Sequence, residues 1–296
     1  MLSFRRATWA PALAAGRGAY FLLHPALRVY VVASHGLTHE KRLYAGTTLA
    51  HAPGRRQLAQ LVLDGALRLG DGAATRWLGP GELSLQPRSL PDERWQGARF
   101  AALVVEWTPA PGAIVPRWTT GALAPALVAW SRAWSEALIA APPATADAAR
   151  ATAALLDRWR AAGVPLPALD AAALAPPVPP AIRTLATALG DALSDLAARP
   201  MLVDLEARCA RSGRHLRREL ADFDRYYGFP GGTSWHRVSR WWRLSMATCL
   251  MTARGATTEG VAAALGYGSP QAFCLAMAHA GLPSPGQVAA AAARQA

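Results

Sequence analysis

The sequence predicts an α+β chain in which a small antiparallel β-barrel or sandwich comes first, helices follow it, and an all-helical third ends the chain. Three observations carry this. From about residue 20 to 107, short apolar runs alternate with Asp-Gly and Pro-Gly breaks, as in QLVLDGALRLGDGAATRWLGPGELSLQP, and RFAALVVEW closes the series with a longer apolar run. From Gly121 onward, alanine, leucine and tryptophan recur at helical intervals instead. Between the two helical regions, GVPLPALDAAALAPPVPP carries six prolines and few charges.

These signals divide the 296 residues into successive units, and a 52% hydrophobic content is ample for buried cores. Residues 1–110 form the barrel. Residues 111–163 form two roughly antiparallel helices, with Leu123, Leu127, Trp130 and Trp134 on the first and Leu155, Leu156 and Trp159 on the second; APPAT breaks them apart. Residues 164–180 are a semi-rigid linker and a domain boundary. Residues 181–296 are a helical domain, interrupted at Arg199-Pro200, at GFPGG (228–232) and at LPSP (282–285).

Composition narrows the partners. The net charge is +12 and the pI about 10.8, which point to a polyanion such as nucleic acid or an anionic membrane surface. The excess is not confined to one end: residues 1–110 carry 13 basic and 7 acidic groups, 111–180 carry 5 and 4, and 181–296 carry 13 and 8. Cys209, Cys249 and Cys274 lack zinc-type spacing, so neither a disulfide framework nor a structural metal is expected, and a reducing cytoplasm fits. No apolar run reaches the ~18 residues of a spanning helix, so no membrane partner is expected.

The most informative stretch is LEARCARSGRHLRREL, Leu205 to Leu220, with five arginines and a histidine in sixteen residues. Leu205 and Cys209 are four apart, as are Leu216 and Leu220, so each pair lies on one helical face. ARS makes a short turn between them, with Ser212 placed to cap the second helix, and the whole is a helix-turn-helix in outline. If Leu216 and Leu220 face inward, Arg214, Arg217 and Arg218 lie elsewhere on the same helix, where guanidinium groups reach guanine edges or phosphate oxygens. Fifty-seven residues later the pattern recurs in VAAALGYGSPQAFCLAMAHAGLPSP: Val261 and Leu265 are four apart, and Ser269, Phe273 and Met277 match Ser212, Leu216 and Leu220. Between the copies, SWHRVSRWWRLSMATCLMTA reads as one long helix with Arg237, Arg240 and Arg243 at three-residue steps. A rigid helix would hold two such units at a fixed spacing, and successive major-groove segments on one face of DNA lie about 34 Å apart.

From Leu202 to Val288 the chain resembles the AraC/XylS transcription regulators. LEARCARSGRHLRREL is similar to the family's first helix-turn-helix, RLSMATCLM to the end of its linker helix, and VAAALGYGSPQAF with AGLPSP to the second helix-turn-helix and its signature. The resemblance implies two-unit binding of double-stranded DNA, a cupin-like N-terminal barrel that senses a small-molecule effector, a homodimer built through the helices after the barrel, contact with RNA polymerase, and a place at the nucleoid. Matched by position, its DNA-facing sites fall on Arg214, Arg217 and Arg218, helped by Arg211 and the helix start at Ser212, and in the second unit on Pro270, Gln271, Cys274 and Leu275. Leu275 stands where the family commonly has arginine, no charge occurs from Ser269 to Ala278, and GQVAAAAARQA replaces the usual Tyr-Arg ending. The first unit is therefore expected to dominate reading, with weak contacts from Ser269 and Gln271.

Other residues invite functional readings that have ordinary counterparts. Cys209 reads as core, whereas Cys274, on an exposed face, leaves a redox sensor open. Trp241 and Trp242 read as helix packing rather than base stacking. His35, His39 and Glu40 offer metal-type ligands, but not at the spacing a metal-dependent cupin uses, and no metal or other cofactor is expected. Trp77, Arg88, Trp95 and Trp107 are the candidate effector-binding residues, although core is the commoner role for tryptophan. A non-enzymatic regulator is the leading reading. A cupin-type metal enzyme with a helical appendage, and an interaction protein that has lost DNA binding, stay open beside it.

Overall fold

Nine strands among the described residues build one antiparallel sheet. They are β1 (Leu2–Ala10), β2 (Ala15–His24), β3 (Leu27–His35), β4 (His39–Glu40), β5 (Gln57–Gly70), β6 (Thr75–Leu78), β7 (Glu82–Gln86), β8 (Asp92–Trp107) and β9 (Thr119–Ala122). The computed structural model describes residues 1–44, 56–109, 115–141, 144–227 and 234–294, so GFPGG lies outside the described residues. The strand order is β1-β2-β3-β8-β5-β7-β9, with β4 added to β8 and β6 to β5. The fold class is α+β, with a cupin-like sheet and helices after it.

The turn signals fall where the chain reverses. Asp71 and Gly72 lead from β5 to β6, and the Asp71 carboxylate accepts from the Ala73 and Ala74 amides at 2.9 and 2.8 Å. The strand series starts earlier than expected, because β1 and most of β2 precede residue 20. In β1 the buried positions are Leu2, Phe4, Arg6, Thr8 and Ala10, so two polar side chains point inward and mask the alternation. The long strands β5 and β8 bend through register shifts between Val62 and Ala66. Gly65 (φ +75°) and Gly97 (φ +133°) permit the bend, since a Cβ at either would lie 2.6 or 2.7 Å from the Arg99 carbonyl oxygen.

One face of the sheet packs on helices α1 (Pro125–Ala140) and α2 (Thr145–Ala161). Val29, Val31, Leu61, Leu103 and Val105 meet Leu138, Leu155, Leu156 and Trp159 in that core. Trp159 Nε1 donates to Ser131 Oγ at 3.0 Å and Trp134 Nε1 to the Ala151 carbonyl at 3.1 Å, which fixes the two helices against each other. The proline-rich stretch expected to be a spacer is instead packed down. Val164, Leu166 and Leu174 are buried in this same core and Val178 in the next, because the apolar residues between the prolines have sheet and helix surface to cover.

The C-terminal third holds α3 (Pro180–Ser194), α4 (Leu202–Cys209), α5 (Gly213–Tyr227), α6 (Trp235–Leu250), α7 (Thr258–Ala264), α8 (Pro270–His279) and α9 (Pro285–Ala293). Helix α3 runs along β1 so closely that a Cβ on Gly190 would lie 2.7 Å from the Arg5 carbonyl oxygen. One continuous core passes from Leu2, Phe4 and Phe21 through Leu189 and Leu193 to Leu216, Phe223, Trp242, Phe273 and Met277. The domain boundary drawn at the linker therefore does not separate two cores: the barrel and the helical third share one.

Candidate nucleic-acid interface

Helices α4 and α5 form the first helix-turn-helix. Leu205 and Cys209 are buried on α4, and Leu216, Leu220, Phe223 and Tyr227 form the buried row of α5. The turn passes through Ala210 in the left-handed region (φ 51°). Ser212 immediately precedes α5, and its Oγ lies 2.9 Å from His215 Nδ1, a side-chain contact in place of the expected bond to the helix backbone.

With Leu216 and Leu220 inward, Arg214, Arg217 and Arg218 are exposed. Arg214 and Arg218 are four apart and share a row on the outward face, about 6 Å apart along the axis, with Arg217 on the flank. None of the three makes an ion pair or hydrogen bond among the described residues. Arg211 differs: its Nε lies 3.5 Å from Glu219 Oε1, so it is partly neutralised.

The second unit repeats the geometry without the charge. Val261, Leu265, Phe273 and Met277 are buried. Ser269 caps α8 by accepting from the Ala272 amide at 3.1 Å, which engages the hydroxyl oxygen expected to make a weak DNA contact. Gln271, Cys274 and Leu275 are exposed, Leu275 by 58%.

Helix α6 joins the units and is set into the barrel. Trp242 Nε1 donates to Thr8 Oγ1 and to the Leu193 carbonyl, both at 3.0 Å, while Thr8 Oγ1 donates to the same carbonyl at 2.8 Å. The Arg6 guanidinium lies 4.6 Å from the Trp241 ring and 4.1 Å from the Trp242 ring. Further along, Arg17 reaches Cys249 Sγ at 3.6 Å, and the Thr38 amide donates to Thr252 Oγ1 at 2.8 Å. Burial holds Arg6 well below its ordinary pKa, with Arg17 adding to the shift, and burial pushes the Cys249 thiol up. The tryptophan pair is packing, as its sequence context suggested. Its polar partners were illegible because they lie more than two hundred residues away on β1.

The residues singled out in the barrel are not brought together. Trp95 is buried between His39 (4.3 Å) and Phe100 (4.9 Å), whereas Trp107 is buried in the core under α1 and α2. Trp77 is 44% exposed on β6, and Arg88 is exposed in a loop. The metal-type trio is also dispersed: His39 is buried with Nδ1 3.6 Å from Cys249 Sγ, His35 stacks on Trp9 at 5.9 Å, and Glu40 lies 3.7 Å from Arg68. Among the described residues, no group of three or more His, Cys, Asp or Glu side chains is placed to hold a metal ion. No helix among them is long and apolar enough to cross a membrane.

No protein-family model matches the chain, and no curated protein matches it. Among solved structures it is similar to ToxT from Vibrio cholerae O395, at 10% identity over 89% of this chain and 97% of that one, with a TM-score of 0.36. The barrel region is similar to protein Ylba from E. coli, at 15% identity over 36% of this chain and 44% of that one (TM-score 0.27). It is also similar to the EutQ protein of Clostridium difficile, at 13% identity over 31% and 68% (TM-score 0.22).

Proposed function

We propose that this chain is a non-enzymatic, sequence-specific DNA-binding transcription regulator of the AraC/XylS type, acting at the nucleoid in the cytoplasm, whose first helix-turn-helix does most of the reading. One observation carries the proposal: Arg214, Arg217 and Arg218 stand exposed and without ion pairs on α5, opposite the row that buries Leu216, Leu220 and Phe223. An inward apolar row orients the helix, and free guanidinium groups on the outward face match guanine edges and phosphate oxygens in a major groove. Arg211, held to Glu219, contributes less than the other three.

Control follows from the way α6 is fixed. Because Arg6, Thr8 and Arg17 of the barrel hold Trp242 and Cys249 of that helix, a small-molecule effector bound by the barrel would shift the placement of both DNA-binding units by changing this seat. In a homodimer, with α1 and α2 as its proposed element, that shift changes which half-sites are held together. RNA polymerase is the proposed downstream partner.

The test is selection of bound sequences from a random duplex pool, followed by gel-shift titration of Arg218→Ala. The variant should lose about 1 to 3 kcal/mol of specific binding. Unchanged affinity would remove Arg218 from the interface. A folded protein that enriches no sequence at low salt would favour an interaction protein instead.

A further inference from the structure

The absence of charge on α8 raises the question of what holds the second unit against a polyanion. A cavity of about 520 Å³ lies between the N-terminal half of α6 and the second helix-turn-helix. His236, Ser239, Arg240 and Arg243 line it from α6, Tyr267 from the turn before α8, and Ala276 and His279 from the flank of α8. None of these lining residues is a carboxylate.

The cationic groups are uncompensated. Neither Arg240 nor Arg243 makes an ion pair among the described residues. Arg243 Nε is buried without a hydrogen-bond partner among them, and the guanidinium carbon lies 5.8 Å from the Tyr267 ring centroid. Arg199 brings a third guanidinium near, its Nη2 packed against Gly268 of the same turn. Burial lowers the pKa of Arg243, and the field of Arg199 pushes it the same way, so an anion entering the cavity would relieve both. Two guanidinium forks, two imidazoles and a phenol around one space match the three oxygens of a phosphate better than the two of a carboxylate. Ala276 and His279 also place the cavity beside the exposed face of α8 that carries Gln271 and Leu275.

We infer that this cavity is a phosphate-binding site, filled either by a backbone phosphate of DNA lying along α8 or by a free phosphate ester. In the first case the second unit draws its electrostatic hold from the linker helix rather than from its recognition helix. That case rests on the DNA-binding reading; the second does not.

The test uses the full chain and two readouts. Calorimetric titration with inorganic phosphate should show saturable binding that Arg243→Gln abolishes. Gel shifts across a salt series should show the slope of log K against log salt falling by about 1.8 in Arg240→Gln/Arg243→Gln, for two lost phosphate contacts, with base preference unchanged. Arg240→Gln alone, expected to lower the slope by about 0.9, serves if the double variant does not fold. A reduced slope, with or without phosphate binding in the calorimeter, identifies the DNA backbone as the source. Phosphate binding with an unchanged slope, or with no DNA binding by the parent protein, identifies a free ester. No phosphate binding and an unchanged slope would overturn the inference.

Discussion

The contact between Thr8 and Trp242 offers a sharp test of whether the linker helix is seated in the barrel. Thr8 is 4% exposed, and its hydroxyl accepts from Trp242 Nε1 at 3.0 Å while donating to the Leu193 carbonyl at 2.8 Å. Thr8→Val keeps the shape and removes both bonds. Two buried hydrogen bonds at about 1 kcal/mol each set a ceiling of about 2 kcal/mol. The indole and the carbonyl still hold each other at 3.0 Å, so neither is left unsatisfied, and the loss should fall nearer 1 kcal/mol. Trp242→Phe removes the indole N–H and opens a void at a fully buried site, for a loss of about 2 to 3 kcal/mol. The double variant loses the Thr8–Trp242 bond once rather than twice. Urea unfolding of the four proteins should therefore give a coupling energy of about 0.5 to 1.5 kcal/mol. A coupling near zero, with both single variants folded, would refute the seating of α6 on β1 and the proposed route of control with it.

Two further perturbations probe the same interface. Gly190→Ala would gain about 1 kcal/mol in an unconstrained helix; here its Cβ meets the Arg5 carbonyl oxygen, so a net loss of about 1 to 3 kcal/mol is expected in denaturant unfolding. Burial, with Arg17 and Lys41 adding to it, holds His39 well below its ordinary value of 6.5. Below that value the unfolded chain takes up a proton that the folded chain refuses, so stability is lost as pH falls through about 6.5, by up to about 1.4 kcal/mol per unit. Melting temperature should drop between about pH 7.5 and 5.5. His39→Gln should flatten part of that drop; the remainder belongs to His24, which burial shifts the same way.

The parts of the molecule legible in its sequence are those governed by local periodicity. Leu216 and Leu220, or Phe273 and Met277, announce a buried helical row because residues four apart share a face whatever the helix later meets. Asp-Gly and Pro-Gly mark the reversals of β5, β6 and β7 because turn geometry is set by adjacent residues. The same locality makes the exposed arginines of α5 readable: once the buried row is known, the outward face follows. Arg6 and Thr8 reverse this logic, since polar side chains on the inward face of β1 conceal a strand whose burial only its tertiary partners explain.

What the tertiary structure decided is which distant segments complete one another. The sequence by itself determined the order of the units, the double helix-turn-helix, and which helix carries free positive charge. It did not determine that β1, α3 and α6 close over one core, that the proline-rich segment packs down, or that Arg240 and Arg243 line a cavity beside an uncharged helix. Each of these depends on contacts between residues far apart in the chain, where the stabilisation comes from removing both surfaces from water together and neither sequence alone carries the signal.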